Sequence, residues 1–151
     1  MKIFLTGISA TPYSREYLSR FAATLRGQDH PVFVSHENGW EAPADPWGQN
    51  RFEFATSIAA LEDSDWLVAV LDGYNVDDAV AVQVGMFYTL AKNGNRPRRM
   101  VGVLHDTRIA GWSWTAGDRA LCPQVRECFS IFGEVVPNFA KVQVLIDAAK
   151  G

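Results

Sequence analysis

Asp72, Asp77 and Asp78 place three carboxylates within seven positions of the stretch 71-LDGYNVDDAVAVQVG-85, around Gly73 and Asn75. Gln83 follows six residues after Asp77. Carboxylates accept hydrogen bonds from vicinal sugar hydroxyls, and one beside a nucleobase can handle the proton of a leaving group. An acid at the start of a helix can equally be a cap. That reading suits Asp78 better than Asp77, ahead of a helix expected from about Val80. No histidine stands at useful spacing to these acids, so neither a metal nor another cofactor is expected.

Gly7-Ile8-Ser9 is a second candidate set. A glycine between strand and helix lets a ligand approach the backbone, and Ser9 can bond to a hydroxyl; a plain turn is the competing reading. No G-x-G-x-x-G follows, so no dinucleotide fingerprint is present. His30, His36 and His105 are scattered. His105 either lines a site or pairs structurally with Asp106, with Arg108 nearby. No Ser-His-Asp or Cys-His arrangement has motif support. Trp40, Trp47, Trp112 and Trp114 lie in irregular segments. Their flat faces suit a nucleobase, but also the closing of a core or an oligomer contact.

These residues sit on a chain of 151 residues, the length of one domain spanning 1–151. With 48% apolar and 21% charged residues the composition is that of a soluble globular protein. A net charge of −3 leaves no basic field for duplex nucleic acid. The cluster 96-RPRR-99 reads as a solvated loop in preference to a phosphate site. Cys122 and Cys128 lack a second pair to complete a zinc site. Free thiols in a reducing compartment are the simplest reading, a disulfide the alternative. The opening MKIFLTGISA is too short an apolar run for a signal peptide, and no run reaches the roughly 20 residues of a membrane span. A cytoplasmic protein is expected.

Strands are expected over 1–6, 31–35, 66–72, 100–106 and 129–136, and helices over 14–26, 51–64, 80–92 and 139–149. Ser14 and Gly27 suit the two ends of the first helix. Residues 36–50 are too long for a plain connection and read as a functional loop or lid, while 107–128 read as irregular. This alternation predicts an α/β three-layer sandwich with a mostly parallel central sheet, which binds ligands beyond the carboxyl ends of its strands.

The segment LDGYNVDDAVAVQVGMFYTLAKNG resembles the nucleoside 2-deoxyribosyltransferase family. MKIFLTG, SIAALEDSDWLVAVLDG and MVGVLHDTR are similar to it in order and spacing, so the resemblance covers about residues 1–110. It implies a Rossmann- or flavodoxin-like fold and a homodimer or higher homo-oligomer, whose pockets borrow residues across subunits. The implied ligand is a nucleoside or nucleotide. The family breaks an N-glycosidic bond by attack of a glutamate on the anomeric carbon, and relatives hydrolyse nucleotides.

By position, Asp77 matches the family aspartate that serves the base, and Gln83 matches the nucleophilic glutamate. Ser57 stands where an aspartate contacts sugar or base, and Phe4 where a tyrosine commonly steers the nucleophile. Ala79 replaces a usual glycine, and Cys128 lies where a neighbouring subunit often supplies an asparagine. The resemblance thus implies Asp77 and Gln83 as the catalytic positions. Phe4, Gly7, Ser9, Ser57, Asp72, Gly73, Asn75 and Asp78 complete the expected substrate site. A carboxamide carries no full charge and forms no stable ester with a sugar, so Gln83 argues against the covalent route. Ser57 and Cys128 depart as well, which favours divergence over a single trapping substitution. Two functions follow: N-glycosidic transfer or slow hydrolysis, or a non-catalytic nucleoside- or partner-binding module.

Overall fold

The computed structural model describes residues 1–38, 46–73, 76–105 and 121–150. Expectations attached to Trp40, Asn75, Asp106, Arg108, Trp112 and Trp114, and to the Trp47 side chain, fall outside the described residues. The chain runs β1 (Ile3–Thr6), α1 (Pro12–Arg26), β2 (Val32–Val34), a 3-10 turn (Ser35–Glu37), α2 (Pro46–Asp63) and β3 (Trp66–Val70). It continues through α3 (Asp78–Asn93), β4 (Arg99–Val103), α4 (Pro123–Phe132), β5 (Gly133–Val136) and α5 (Phe139–Ala148).

The five strands form one sheet in the order β2-β1-β3-β4-β5, with all four pairings parallel. Alternate side chains leave opposite faces of a strand, and the core divides accordingly. Ile3, Leu5, Trp66, Val68 and Val70 pack with Leu18, Phe21 and Leu25 of α1 and with Val142 and Ile146 of α5. Phe4, Leu67, Ala69 and Met100 pack on the other face with Leu61 of α2, Val80, Val84 and Phe87 of α3, and Val125 and Phe129 of α4. Helices therefore cover both faces, as the unbroken apolar run of β3 predicts. From β1 the chain steps out to β2 and then returns past β1 to β3. Such a reversal opens a crevice at the carboxyl ends of the two central strands.

Several boundaries differ from the sequence reading. The cap of α1 is Thr11, not Ser14: the Thr11 hydroxyl accepts the Ser14 N–H at 3.1 Å while Ser14 Oγ accepts the Thr11 N–H at 3.2 Å. Pro12 then occupies the first helical position, where its missing N–H costs nothing. Helix α2 begins at Pro46, well before the expected Arg51, for the same reason. Residues 129–132 belong to a helix and not to a strand. Val125 and Phe129 are buried one turn apart, and β5 starts only at Gly133. The basic cluster is committed to the fold: Arg96 donates to the carbonyls of Glu62 and Ser64 at 2.6 and 2.9 Å, and Arg98 to Glu62 at 2.6 Å. The end of α2 thereby gains partners for its open carbonyls. No helix among the described residues is long and apolar enough to cross a membrane.

Candidate functional site

A cavity of about 520 Å³ opens beyond the carboxyl ends of β1 and β2. One flank of α2 forms a wall through Glu53, Phe54, Ser57 and Ile58, and one flank of α3 faces it through Ala79, Val82, Gln83 and Met86. The spacing 79, 82, 83, 86 is that of a single helical stripe. Ser9, Phe33, Ser35, His36 and Asn38 close the end nearest the sheet. A smaller cavity of about 60 Å³ shares Ser9, Ser35, His36, Ala79 and Gln83 with it and reaches Thr6, Gly7 and Asp77.

Gln83 lies at the junction of the two. Thr6, the last residue of β1 and nearly buried, donates its hydroxyl to Gln83 Oε1 at 2.5 Å. The amide oxygen is thereby occupied, while the amide nitrogen remains a donor with no partner among the described residues. Thr6 was not singled out from the sequence; only its place at the end of a buried strand points to it.

Asp77, rather than Asp78, caps α3. Its Oδ1 accepts the N–H groups of Ala79 and Val80 at 3.0 and 3.3 Å, while Asp78 Oδ1 takes only that of Ala79 at 2.9 Å. Both acids border the cavities, Asp77 the smaller and Asp78 the larger. Gly7 packs closely: a Cβ there would lie 3.0 Å from both Leu18 Cδ2 and Val70 Cβ, so protein side chains already require its smallness.

The remaining sequence candidates sit apart from the cavity walls. Phe4 is fully buried in the core and stacks on Phe33 at a centroid distance of 5.2 Å, supporting a ring that does line the cavity. Asp72 binds His105 twice, through the backbone N–H and through Nδ1, each at 2.6 Å. His105 Nε2 in turn lies 2.5 Å from Tyr17 Oη. Gly73 carries the turn after Asp72 with φ 125°, a conformation that favours glycine. Cys128 is half-buried against the core formed by α3 and α4, where burial pushes its thiol pKa up. Cys122 and Cys128 are both free thiols.

His36 faces both cavities from the turn after β2. Burial lowers its pKa first, the nearby Arg15 charge lowers it further, and Glu37 opposes both. Its Nε2 lies 2.9 Å from Ser19 Oγ, which donates to Glu37 Oε1 at 2.7 Å. Burial pushes the Glu37 carboxyl up, but hydrogen bonds from Arg26 and Ser19 outweigh it and hold the pKa low. Arg15 donates to the Ser9 carbonyl at 2.9 Å, fixing the loop after β1. Sequence spacing could not have united these groups, because α1, the turn after β2 and the loop after β1 meet only in the fold.

No curated protein matches the chain in sequence. Among solved structures, a conserved protein from Enterococcus faecalis V583 superposes with a TM-score of 0.70 at 18% identity, covering 94% of each chain. A 2-deoxyribosyltransferase from the psychrotolerant bacterium Bacillus psychrosaccharolyticus superposes with a TM-score of 0.59 at 20% identity, over 89% of this chain and 98% of that one. Both share the fold. The sequence profile described as nucleoside 2-deoxyribosyltransferase matches residues 3–143. With nearly the whole length matched, and with a parallel sheet whose strand ends open on Gln83, this chain belongs to the nucleoside 2-deoxyribosyltransferase family.

Proposed function

We propose that the protein binds a nucleoside or nucleotide in the cavity beside Gln83, and that any turnover there is transfer or hydrolysis of an N-glycosidic bond. The observation that carries this reading is the cavity itself. Its size falls within the range of small-molecule sites, and hydroxyls, amides and carboxylates border it. Asp77 and Gln83 are the proposed reacting positions, with Ser9, Ser57 and Asp78 toward the ligand. Asp77 keeps one oxygen on the helix end, which leaves the other for a proton at the base.

The contact between Thr6 and Gln83 favours a second reading, in which the site binds without turning over. An amide whose oxygen already accepts a hydroxyl is oriented for recognition, and it has no charge with which to stabilise an oxocarbenium-like centre. The test is base exchange. The protein and its Gln83→Glu variant are incubated with 2′-deoxynucleosides and a free base, and products are separated by chromatography. Exchange or base release confined to Gln83→Glu supports a lost nucleophile in an intact site. Binding without turnover in both forms supports the binding module, and neither binding nor turnover in either form sinks the proposal.

A further inference from the structure

The fold assembles a carboxylate, an imidazole and a hydroxyl that the sequence keeps apart. Asp72 follows β3, His105 follows β4, and Tyr17 lies on α1. Asp72 Oδ2 is 2.6 Å from His105 Nδ1, and His105 Nε2 is 2.5 Å from Tyr17 Oη. None of the three lines either of the two cavities. They stand beyond the strand ends on the other side of the sheet, where Tyr17 and His105 meet Phe139 at centroid distances of 5.3 and 5.4 Å. Phe139 in turn packs on the core that α1 and α5 share.

The row has a direction. The contact between Asp72 and His105 is part-buried, whereas Tyr17 is 39% exposed and its contact with His105 is open to solvent. Nδ1 is the donor to Asp72, so in the neutral ring Nε2 is the basic nitrogen, and the phenol hydroxyl is in its reach. Burial, then the Asp72 charge, push the Tyr17 phenol up to about 12, so the hydroxyl keeps its proton until a base removes it. Holding the strand ends together needs no more than the two contacts between Asp72 and His105. The third group adds a nucleophile at the surface, behind an imidazole oriented by a carboxylate, an arrangement recognised by geometry and roles and not by sequence position. Tyr13 gives an internal comparison: one turn earlier on α1, it is 83% exposed and has no hydrogen-bond partner among the described residues.

We propose that Tyr17 is a nucleophile, activated by His105 and Asp72, that accepts an acyl group from an activated carboxylic ester. Tyr17 Oη bonds to the carbonyl carbon while its proton passes to His105 Nε2. The bond from that carbon to the leaving oxygen breaks, and the oxygen departs with the electron pair. The imidazole then gives up the proton to the leaving group or to solvent, so that the products are a tyrosyl ester and a free alcohol or phenol. Asp72 is a positioning residue, which holds the ring and offsets the charge that the ring gains in the step.

The test treats the full chain with p-nitrophenyl acetate at neutral pH and follows acetylation of each tyrosine over time by peptide mass spectrometry. Tyr17 is expected to react about a hundredfold faster than Tyr13, the scale of general-base assistance, although Tyr13 is the more exposed. His105→Asn keeps an N–H for Asp72 but has no basic nitrogen for the phenol, and is expected to bring Tyr17 down to the rate of Tyr13. Asp72→Asn is expected to fall between the two, with Tyr13 reacting at one rate in all three proteins. Circular dichroism checks that both variants are folded. A ratio of Tyr17 to Tyr13 near one or below in the wild type overturns the proposal, and needs neither variant. Wild-type labelling of Tyr17 in folded His105→Asn removes the imidazole from the step and overturns it as well. An acetyl group that remains on His105, with none on Tyr17, overturns it in favour of a histidine nucleophile.

Discussion

Asp72 grips His105 at two points: its Oδ1 accepts the His105 backbone N–H at 2.6 Å, and its Oδ2 lies 2.6 Å from His105 Nδ1. A carboxylate oxygen accepts, so Nδ1 is the donor to Asp72, and Nε2 on the far side of the ring faces the Tyr17 hydroxyl at 2.5 Å. The end of β3 is thereby tied to the end of β4 and to α1, a few residues before the cap of α3. Asp72→Ala is expected to cost about 2 kcal/mol, the worth of charge-assisted hydrogen bonds. That lowers Tm by roughly 4–8 °C. Asp72→Asn, which keeps an acceptor for the backbone N–H, is expected to cost less, and equal losses in thermal melts would contradict the two-point grip.

Tyr17 reports on the same assembly at high pH. Burial, and then the Asp72 charge, push its phenol pKa from 10.0 up to about 12. The folded value lies above the unfolded one, so the neutral phenol's contribution to stability is complete below pH 10 and is lost as pH rises toward 12. An absorbance titration at the phenolate band should therefore show one late step, absent in Tyr17→Phe. The stability difference between the wild type and Tyr17→Phe should shrink over the same window.

The central sheet was legible because its cause is local. A strand covered on both faces must be apolar at every position, and 66-WLVAVLD-72 could be nothing else beside its helical neighbours. Two boundaries were hidden by residues with double meanings. Pro46 and Gly48 look like loop punctuation but are tolerated in the first turn of α2. The run 129-FSIFGEVV-136 mixes the last turn of a helix with a strand, and its apolar character alone cannot locate the switch. Around the cavity, Gln83 and Asp78 stand out in sequence because they share one helix with a recognisable pattern. Thr6, Phe33, Glu53 and Phe54 do not, since their common address is produced by packing α2 against α3 over two strand ends.

His30 gives the acid limb of stability a specific cause. It is 5% exposed, and among the described residues neither ring nitrogen has a hydrogen-bond partner in proper geometry, although the Met1 backbone lies close enough to favour the charged ring slightly. Burial lowers its pKa first, followed by the charges of Lys150 and the N-terminus, against a smaller pull from Asp147. The folded value is below the unfolded 6.5, so the contribution is whole above about pH 6.5. It declines as pH falls from there toward the folded value, because the unfolded chain takes the proton first. Melts at pH 7.5 and 5.5 should show a smaller acid loss in His30→Phe than in the wild type, and identical losses would remove His30 from the account.

Asp77 and Asp78 can be separated by stability alone. Asp77→Ala removes acceptors from the N–H groups of Ala79 and Val80, whereas Asp78→Ala leaves Asp77 in place on both. Losing a helix cap costs about 1 kcal/mol, which is roughly 2–4 °C in Tm for a chain of this size. Asp77→Ala is expected to show that fall and Asp77→Asn little of it, since an amide oxygen also caps. Asp78→Ala is expected to stay near the wild type. The reverse order in thermal melts would return the cap to Asp78.

Thr6→Val tests whether the hydroxyl of β1 sets the orientation of residue 83. Valine keeps the shape and strand preference of threonine but leaves Gln83 Oε1 without its 2.5 Å donor. An unsatisfied, part-buried amide costs about 1–3 kcal/mol, so a measurable fall in Tm is expected, with Thr6→Ser close to the wild type. In a Gln83→Glu background the cost should be larger, because the orphaned group would then be a carboxylate. A double-mutant cycle over Thr6→Val and Gln83→Ala isolates the pair: coupling well above zero is expected, since each substitution alone already removes the contact. If the two effects simply add, the amide is held by something other than Thr6, and its nitrogen loses the defined aim that makes it a recognition group.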